Sequence, residues 1–310
     1  MANQTAQRSG VSPAGRAAIA LPALFVGATC IAFAPIFVRL SEVGPSATAF
    51  WRVAFSIPLL ALWMAREQRR ADAPRRALGW RDYWRLSAAG VFFAADLALW
   101  HWSIKFTTVA NATLFANFAP IFVTMAAFFL FRERFKPLFL LGLALAVGGA
   151  TVLVGASVQL STRHLIGDGL GIVTAVFYGA YIVAVGRLRS RYSTATIMTW
   201  TGVVCALVLA TVALLSGESL AAATLSGWLV LLGLGLTSQV AGQSLIAFAL
   251  AHLSAAFGSI SLMLQPVVAA ALAWALLAEG LGARQIVGGT VVLIGIFLAN
   301  RGRDRGRTSG

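Results

Sequence analysis

The sequence predicts an all-α integral membrane protein whose ten transmembrane helices form two inverted-topology repeats of five. Three observations support this fold class: an apolar composition, a regular succession of apolar stretches, and an internal repeat. Of the 310 residues, 59% are hydrophobic and only 11% are charged, whereas roughly 25% of a typical soluble domain is charged. The mean hydropathy is +0.83. A soluble protein of this composition would expose large apolar patches, so we set that class aside.

Ten stretches are apolar and long enough to cross a bilayer, which takes about 20 residues. Short connections join several of them, so consecutive helices are expected to form antiparallel hairpins. Because many spans follow the first stretch, we interpret it as a membrane helix and not as a cleaved signal peptide. The predicted spans are 17–38, 46–65, 86–105, 110–131, 137–156, 169–187, 195–215, 227–250, 256–277 and 284–300.

The basic residues predict the orientation in the membrane. With a cytoplasmic N-terminus, the alternation of spans places 19 Lys and Arg residues on the inner side and 4 on the outer side. Cytoplasmic loops of membrane proteins carry such an excess. We therefore expect a multi-pass protein of a bacterial-type inner membrane with both termini cytoplasmic. The net charge of +14 is explained in the same way, so nucleic acid is not expected as a partner.

The second half of the chain repeats the first at an offset of 146 residues. Four ordered pairs carry the match: Pro120 with Pro266, Glu133 with Glu279, Gly142 with Gly288, and Gly149 with Gly295. Because each repeat holds five helices, an odd number, the second repeat must enter the membrane from the opposite side. Transporters use inverted repeats to alternate access around a site near the bilayer midplane. The predicted boundaries are a cytoplasmic tail at 1–16, repeats at 17–156 and 157–300, and a basic tail at 301–310.

These segments resemble a known family. The stretch from Ala110 to Gly155, with its mid-helix proline, its glutamate at the end of the fourth helix and its glycine-bearing fifth helix, resembles the EamA module of the drug/metabolite transporter superfamily. Leu264 to Gly295 resembles it again, and Trp51-Arg52 resembles the aromatic-Arg pair of the second helix. The resemblance covers nearly the whole chain and is greatest to YddG-like bacterial exporters of amino acids and related metabolites. It implies an exporter in which only the first repeat supplies this arginine.

Asp96 is the one acidic residue near the middle of a predicted helix. A charged group at that depth costs roughly 2.5–3.5 kcal/mol on insertion scales and therefore calls for a reason. Trp100 follows at i+4 and shares its helix face, and His101 comes next. One interpretation is a proton-responsive or substrate-binding group. The other is a structural pair between Asp96 and Arg52, with His101 facing water near the helix end.

Polar side chains in the second repeat form a further candidate binding group. Gln239 and Gln243 lie at i,i+4 in the eighth helix, and Tyr178 and Tyr181 lie at i,i+3 in the sixth, so each pair is expected to share a face. Amides both donate and accept hydrogen bonds, which suits a zwitterionic ligand. The alternative is that these groups hold helices together within the membrane.

Two prolines at equivalent positions predict helix breaks. Asn117 lies three residues before Pro120, and Gln265 lies directly before Pro266. Proline lacks a backbone N–H and frees the carbonyl four residues earlier, which kinks a helix. The nearby amides are expected either to line a cavity or to satisfy the freed backbone. We predict that Pro120 and Pro266 act as hinges.

The remaining features indicate structure and exclude several kinds of chemistry. Glu133 and Glu279 stand beside arginines at helix ends and are predicted to be structural charges. The sequence has no P-loop, H-E-x-x-H or G-x-S-x-G motif, so neither an ATPase nor an enzyme is expected. Cys30 and Cys205 stand alone in apolar stretches, without metal-ligand spacing. We expect no cofactor, no metal and no ATPase subunit, with a small molecule and the lipid bilayer as the partners.

Three functions remain after the sequence analysis. The first is a secondary exporter of amino acids and related metabolites. The second is a proton-coupled small multidrug exporter of organic cations, for which Asp96 would be the binding carboxylate. The third is a non-transporting integral membrane protein, either an enzyme or a scaffold. The matched prolines and the polar groups at mid-membrane depth favour transport.

Overall fold

The fold is a bundle of ten long helices, five of them interrupted. A computed structural model of the chain describes residues 13–69, 78–107, 109–154, 162–277 and 282–302, and within these ranges it contains no β-strand. The first five helices are α1 (Pro13–Ala32 and Ala34–Leu40), α2 (Pro45–Ala54 and Ile57–Arg69), α3 (Trp80–Phe106), α4 (Val109–Ala116 and Ala119–Phe131) and α5 (Pro137–Val154). The second five are α6 (Thr162–Leu188), α7 (Thr194–Leu215), α8 (Leu225–Leu234, Gly235–Gln243 and Ser244–Ala249), α9 (Ala255–Ser261 and Leu264–Leu277) and α10 (Ala283–Gly302).

Nine of the ten helices are long and apolar enough to cross a membrane. The tenth, α3, is 27 residues long but less apolar, because it carries Asp96, His101 and several charges at its ends. It packs against α6 and α7 inside the bundle. The all-α membrane fold predicted from the sequence is confirmed.

The two ends of the bundle differ in charge. At one end, the Arg187 guanidinium lies 3.5 Å from the centre of the Phe131 ring, and the Tyr192 hydroxyl donates to Asp82 at 2.5 Å. These contacts bring the ends of α4 and α6 and the start of α3 to the same side as the arginines of the α4–α5 and α6–α7 loops. We call this side the arginine-rich face. Glu42 and Glu218 lie on the opposite face.

Glycines at matched positions pack α5 against α10. A Cβ added to Gly142 would lie 2.6 Å from the carbonyl oxygen of Gly295, and one added to Gly149 would lie 2.8 Å from that of Gly288. Small residues allow such close helix contacts in membranes. The two contacts are related by the repeat: Gly142 corresponds to Gly288 and Gly295 to Gly149, each at an offset of 146 residues. Because higher numbers on α5 meet lower numbers on α10, the helices run antiparallel, as inverted repeats require.

On the face opposite the arginine-rich face, two loops each contribute a carboxylate that accepts hydrogen bonds from the start of a helix in the other repeat. Glu42, between α1 and α2, accepts hydrogen bonds from the backbone N–H (3.0 Å) and the hydroxyl of Thr224 at the start of α8. These bonds from Thr224 lower the pKa of Glu42. Glu218, between α7 and α8, accepts from the N–H of Ala47 (2.9 Å) in the first turn of α2. Each carboxylate thus lies at a helix N-terminus, where negative charge is stabilised, and joins the repeats.

Two predicted helix starts differ from the structure. Helix α3 begins at Trp80 and not near 86, because Asp82 accepts a hydrogen bond from the Gly79 N–H at 3.0 Å and caps an extra turn. The sixth span was predicted to begin at 169, but α6 already begins at Thr162. Gly167, in this added part of the helix, allows close contact with the end of α3: a Cβ there would lie 2.7 Å from the backbone nitrogen of Thr107.

The α5–α10 contact gives a stability prediction. In Gly149→Ala the new methyl group would meet the backbone nitrogen of Val292 at 2.6 Å, and overpacking of this kind costs about 1–3 kcal/mol. We expect a lower melting temperature for the purified protein in detergent. Gly148→Ala is the matched control, since a Cβ there has no atom within 4 Å and alanine favours helix. Equal melting temperatures for the two variants would contradict the packing argument.

Candidate functional site

A cavity of about 610 Å³, including its open part, lies among seven of the helices. The apolar wall includes Ile31 and Leu97, and Trp100 adds an aromatic face. Among the described residues, α5, α7 and α10 contribute none of the lining. The polar lining residues are Arg52, Asp96, Thr113, Asn117, Tyr178, Gln243 and Gln265.

Helix breaks surround this cavity. Helix α4 is interrupted at Asn117 and Phe118, and α9 at Leu262 and Met263, each just before the proline that cannot bond to the carbonyl four residues earlier. The breaks expected from Pro120 and Pro266 are therefore present, and their hinge role stays a prediction. Asn117 does more than line the cavity, because its Nδ2 also donates to the carbonyl of Thr113 at 2.7 Å.

Two further breaks escaped the sequence analysis. Helix α1 is interrupted at Phe33, before Pro35, and α2 at Phe55 and Ser56, before Pro58. In both helices a proline follows the break, as it does in α4 and α9, so the same sequence feature could have predicted them. Pro35 itself lines the cavity, and the break in α2 follows Arg52 by three residues.

Helix α8 contains a π-helical segment from Gly235 to Gln243. Such segments are rare and occur often at functional sites. Gln243 ends this segment and lines the cavity. Gly242 allows the close approach of α1, since a Cβ there would lie 2.6 Å from the Cγ1 of Ile31. Apart from two glycines within a polar stretch, no feature of the sequence indicates a π-helix here.

A group of uncharged polar side chains meets in the cavity. The cavity is lined by Tyr178 on α6, Gln243 on α8 and Gln265 on α9, and both amides lie near the Tyr178 hydroxyl. The Nε2 of Gln265 has no hydrogen-bond partner within the described part of the chain. Buried polar groups are normally paired, so this amide nitrogen is available to a ligand. Tyr178, Gln243 and Gln265 thus come together as a cluster from three helices of the second repeat.

Opposite charges also line the cavity. Arg52 on α2 is 3% exposed and Asp96 on α3 is 7% exposed, and the two side chains attract each other electrostatically. Among the described atoms, the Nε of Arg52 has no hydrogen-bond acceptor. Asp96 is therefore both near Arg52 and accessible from the cavity, which agrees with each of the two sequence interpretations.

Three of the predicted binding residues lie outside the lining. His101 donates from Nδ1 to the carbonyl of Leu97 at 2.7 Å. The Tyr181 ring stacks on Phe93 with 4.5 Å between centroids, and its hydroxyl faces the sulfur of Met198 at 3.8 Å. Gln239 is 1% exposed, and the structure gives its Oε1 no partner among the residues it describes. Of the three, His101 bonds to a residue of the wall, Leu97.

Of the predicted structural charges, Arg52 lines the cavity, whereas Glu133 is not among the lining residues. Glu133 follows the end of α4, where its N–H donates to the carbonyl of Ala127 at 3.0 Å, and the preceding Arg132 adopts the left-handed conformation with φ 55°. Such a residue commonly ends a helix. Glu279 lies outside the described residues. Thr201, which stands in the second repeat where the first has Arg52, donates to the carbonyl of Ile197 in its own helix at 2.7 Å.

The cavity is closed toward the arginine-rich face. There, the second segment of α4 (Ala119–Phe131) packs on the first segment of α9 (Ala255–Ser261), and both segments contain fully buried apolar side chains such as Val123 and Phe257. The repeat-related pair, Val109–Ala116 with Leu264–Leu277, makes no comparable contact in the described chain. The two repeats thus have the same fold but are packed differently at the two ends of the cavity.

Equivalent positions of both repeats contribute to the lining. Leu97 and Gln243 are 146 residues apart, and both line the cavity. The cavity is therefore lined by both repeats. At this position the first repeat supplies an apolar side chain and the second supplies a polar one, so a symmetric scaffold encloses an asymmetric site.

Several known proteins are similar to this chain. A protein described as a probable terminal-alkyne amino-acid exporter, from Streptantibioticus cattleyicolor, is 30% identical over 283 residues, which cover 89% of this chain and 90% of that protein. The pseudopaline exporter CntI of Pseudomonas aeruginosa is 25% identical over 217 residues, covering 70% and 74%. An uncharacterized transporter of Archaeoglobus fulgidus is 25% identical over 276 residues, covering 85% and 91%.

A comparison with solved structures and a comparison with family models both agree with these relatives. A protein of known crystal structure superposes with a TM-score of 0.74 at 20% identity, covering 92% of this chain and 98% of its own, and this likeness concerns the fold alone. The model of the EamA-like transporter family matches residues 18–155 and, a second time, residues 165–301. The resemblance inferred from the sequence is therefore confirmed: the chain belongs to the EamA-like transporter family and is a membrane transporter, not an enzyme.

Proposed function

We propose that this protein is a secondary transporter that exports amino acids and related small metabolites across a bacterial-type inner membrane. The observation that carries the proposal is the composition of the cavity. It combines a cationic group and an acidic group, Arg52 and Asp96, with the Tyr178–Gln243–Gln265 cluster and an apolar wall. An amino acid has the complementary parts: a carboxylate, an ammonium group and a side chain of variable polarity.

The named relatives support this substrate class. The Streptantibioticus cattleyicolor protein is described as an amino-acid exporter and the Pseudomonas aeruginosa protein as a pseudopaline exporter. Both names state an export direction. The first relative matches nearly the whole chain, including both repeats, so the comparison involves the complete cavity.

Alternating access follows from the unequal packing of the repeats. In the opposite conformation, the segments Ala119–Phe131 and Ala255–Ser261 separate at the arginine-rich face. Their repeat-related counterparts, Val109–Ala116 and Leu264–Leu277, then pack together and close the opposite end. The breaks before Pro120 and Pro266 lie between the two segments of each helix and are suited to absorb this change. With the arginine-rich face and both termini in the cytoplasm, the described arrangement is closed to the cytoplasm.

The main alternative is a proton-coupled exporter of organic cations. It is favoured by Asp96, whose carboxyl group lines the cavity. The neighbouring guanidinium of Arg52 argues against it, because a fixed positive charge weakens the attraction of the site for a cation. The third possibility, a non-transporting membrane protein, does not agree with the family match.

Counterflow in liposomes tests the proposed function. Purified protein is reconstituted with a high internal concentration of one unlabelled amino acid, and a labelled apolar amino acid is supplied outside. We expect transient accumulation of the label that depends on which amino acid is inside, because exchange through one site needs no coupling ion. Accumulation of a labelled lipophilic cation such as tetraphenylphosphonium, with no response to any amino acid, would favour the alternative.

The Tyr178–Gln243–Gln265 cluster gives a second prediction. Tyr178→Phe removes the hydroxyl of a cavity-lining residue, and we expect it to raise the KM for amino-acid counterflow roughly 2- to 10-fold, the value of one neutral hydrogen bond. Tyr181→Phe is the matched control, because that hydroxyl faces Met198 and not the cavity. A larger effect of Tyr181→Phe than of Tyr178→Phe would place the binding groups elsewhere.

A further inference from the structure

Arg52 has unused capacity to bind an anion. Its side chain is nearly fully buried, yet it lines the cavity, and its Nε lacks an acceptor among the described residues. A guanidinium carries five N–H donors in a planar fork that matches a carboxylate. A buried donor without a partner is costly. A ligand carboxylate in the cavity would supply the missing acceptor.

Asp96 provides the opposite charge in the same cavity. It lies on α3, four residues before Trp100, and both residues are lining residues. Arg52, a residue of opposite formal charge, lines the same cavity. A zwitterion placed between them would bring a negative group to Arg52 and a positive group to Asp96 without leaving either charge unpaired, which the low dielectric of the interior requires.

The repeat symmetry indicates that the fold does not need these two charged residues. The position 146 residues after Asp96 is Gly242, which packs closely on α1. In the second repeat, Thr201 stands in place of Arg52 and is satisfied within its own helix. The second repeat thus adopts the same fold with neither charge. These two charged residues occur in only one repeat and lie at the cavity wall. Ligand binding therefore explains their presence better than folding does.

We infer that Arg52 and Asp96 form the two ends of a recognition site for the head group of a free α-amino acid. The guanidinium of Arg52 binds the carboxylate, the carboxyl group of Asp96 binds the ammonium group, and the side chain of the substrate points to the wall formed by Trp100 and Ile31. The inference rests on the proposed function and narrows it. Substrates must carry both charges, so amines, simple carboxylic acids and amino-acid amides are poor ligands.

Binding of three ligands with the same side chain tests this assignment. Dissociation constants are measured by titration calorimetry on the full-length protein in detergent for phenylalanine, phenylalaninamide, which lacks the carboxylate, and 3-phenylpropionate, which lacks the ammonium group. The wild type should bind phenylalanine about tenfold or more tightly than either analogue, as expected for the loss of a charged hydrogen bond. Counterflow of labelled phenylalanine with the same preparation tests the proposed function separately.

The variants should give a crossed pattern. Arg52→Gln is expected to weaken binding of phenylalanine and 3-phenylpropionate about tenfold and to leave phenylalaninamide nearly unchanged. Asp96→Asn should weaken phenylalanine and phenylalaninamide and spare 3-phenylpropionate. Lys105→Gln is the matched control, since Lys105 is exposed outside the cavity beside Trp102. If Arg52→Gln does not fold, Arg52→Lys keeps the charge but not the fork, and it should weaken phenylalanine while sparing the amide.

Two results would overturn the inference. Equal weakening of all three ligands by Arg52→Gln and by Asp96→Asn would mean that the residues form a structural pair. Unchanged affinities in both variants would place the head group elsewhere. In either case, counterflow of phenylalanine by the wild type would leave the proposed function standing. A wild type that neither binds nor exchanges any amino acid would remove the proposed function and this inference together.

Discussion

A backbone hydrogen bond broken inside a bilayer must be compensated by protein, because lipid offers no partner. This constraint decides where the bundle can be irregular. The breaks in α1, α2, α4 and α9 and the π-helical segment of α8 all occur close to cavity-lining residues: Pro35, Arg52, Asn117, Gln265 and Gln243. The freed carbonyls and N–H groups lie within the bundle, beside polar side chains. The cavity and the helix breaks therefore depend on each other.

The helices that do not line the cavity have a separate role. Helices α5 and α10 meet through Gly142, Gly149, Gly288 and Gly295, close enough that an added methyl group would contact opposing backbone. The contact between Gly142 and Gly295 has a repeat-related counterpart between Gly149 and Gly288. Such packing resists sliding, since interdigitated backbones have few alternative arrangements. It provides a fixed frame beside the interrupted helices, for which we proposed a change of packing during transport.

The sequence predicted elements that depend on local pattern and missed those that depend on neighbours. Apolar stretches and proline positions are local, so the spans and the breaks before Pro120 and Pro266 could be predicted. The sixth span was predicted to begin later than α6 does, because the close contact of Gly167 with Thr107 is visible only in the tertiary fold. Helical spacing placed Tyr178 and Tyr181 together, but only Tyr178 lines the cavity. Nothing in the sequence locates the side chain of Arg52 relative to Asp96, so two interpretations of these residues remained open.

The difference between the paired residues Leu97 and Gln243 has a consequence for the transport cycle. If the scaffold were perfectly symmetric, the conformations open to either side would have equal free energy and equal populations. Differences between paired side chains break that degeneracy, and a difference of 1.4 kcal/mol already gives a tenfold preference. The protein can therefore set which side its empty site faces by diverging at a few paired positions, while the helices and the glycine contacts stay the same in both repeats.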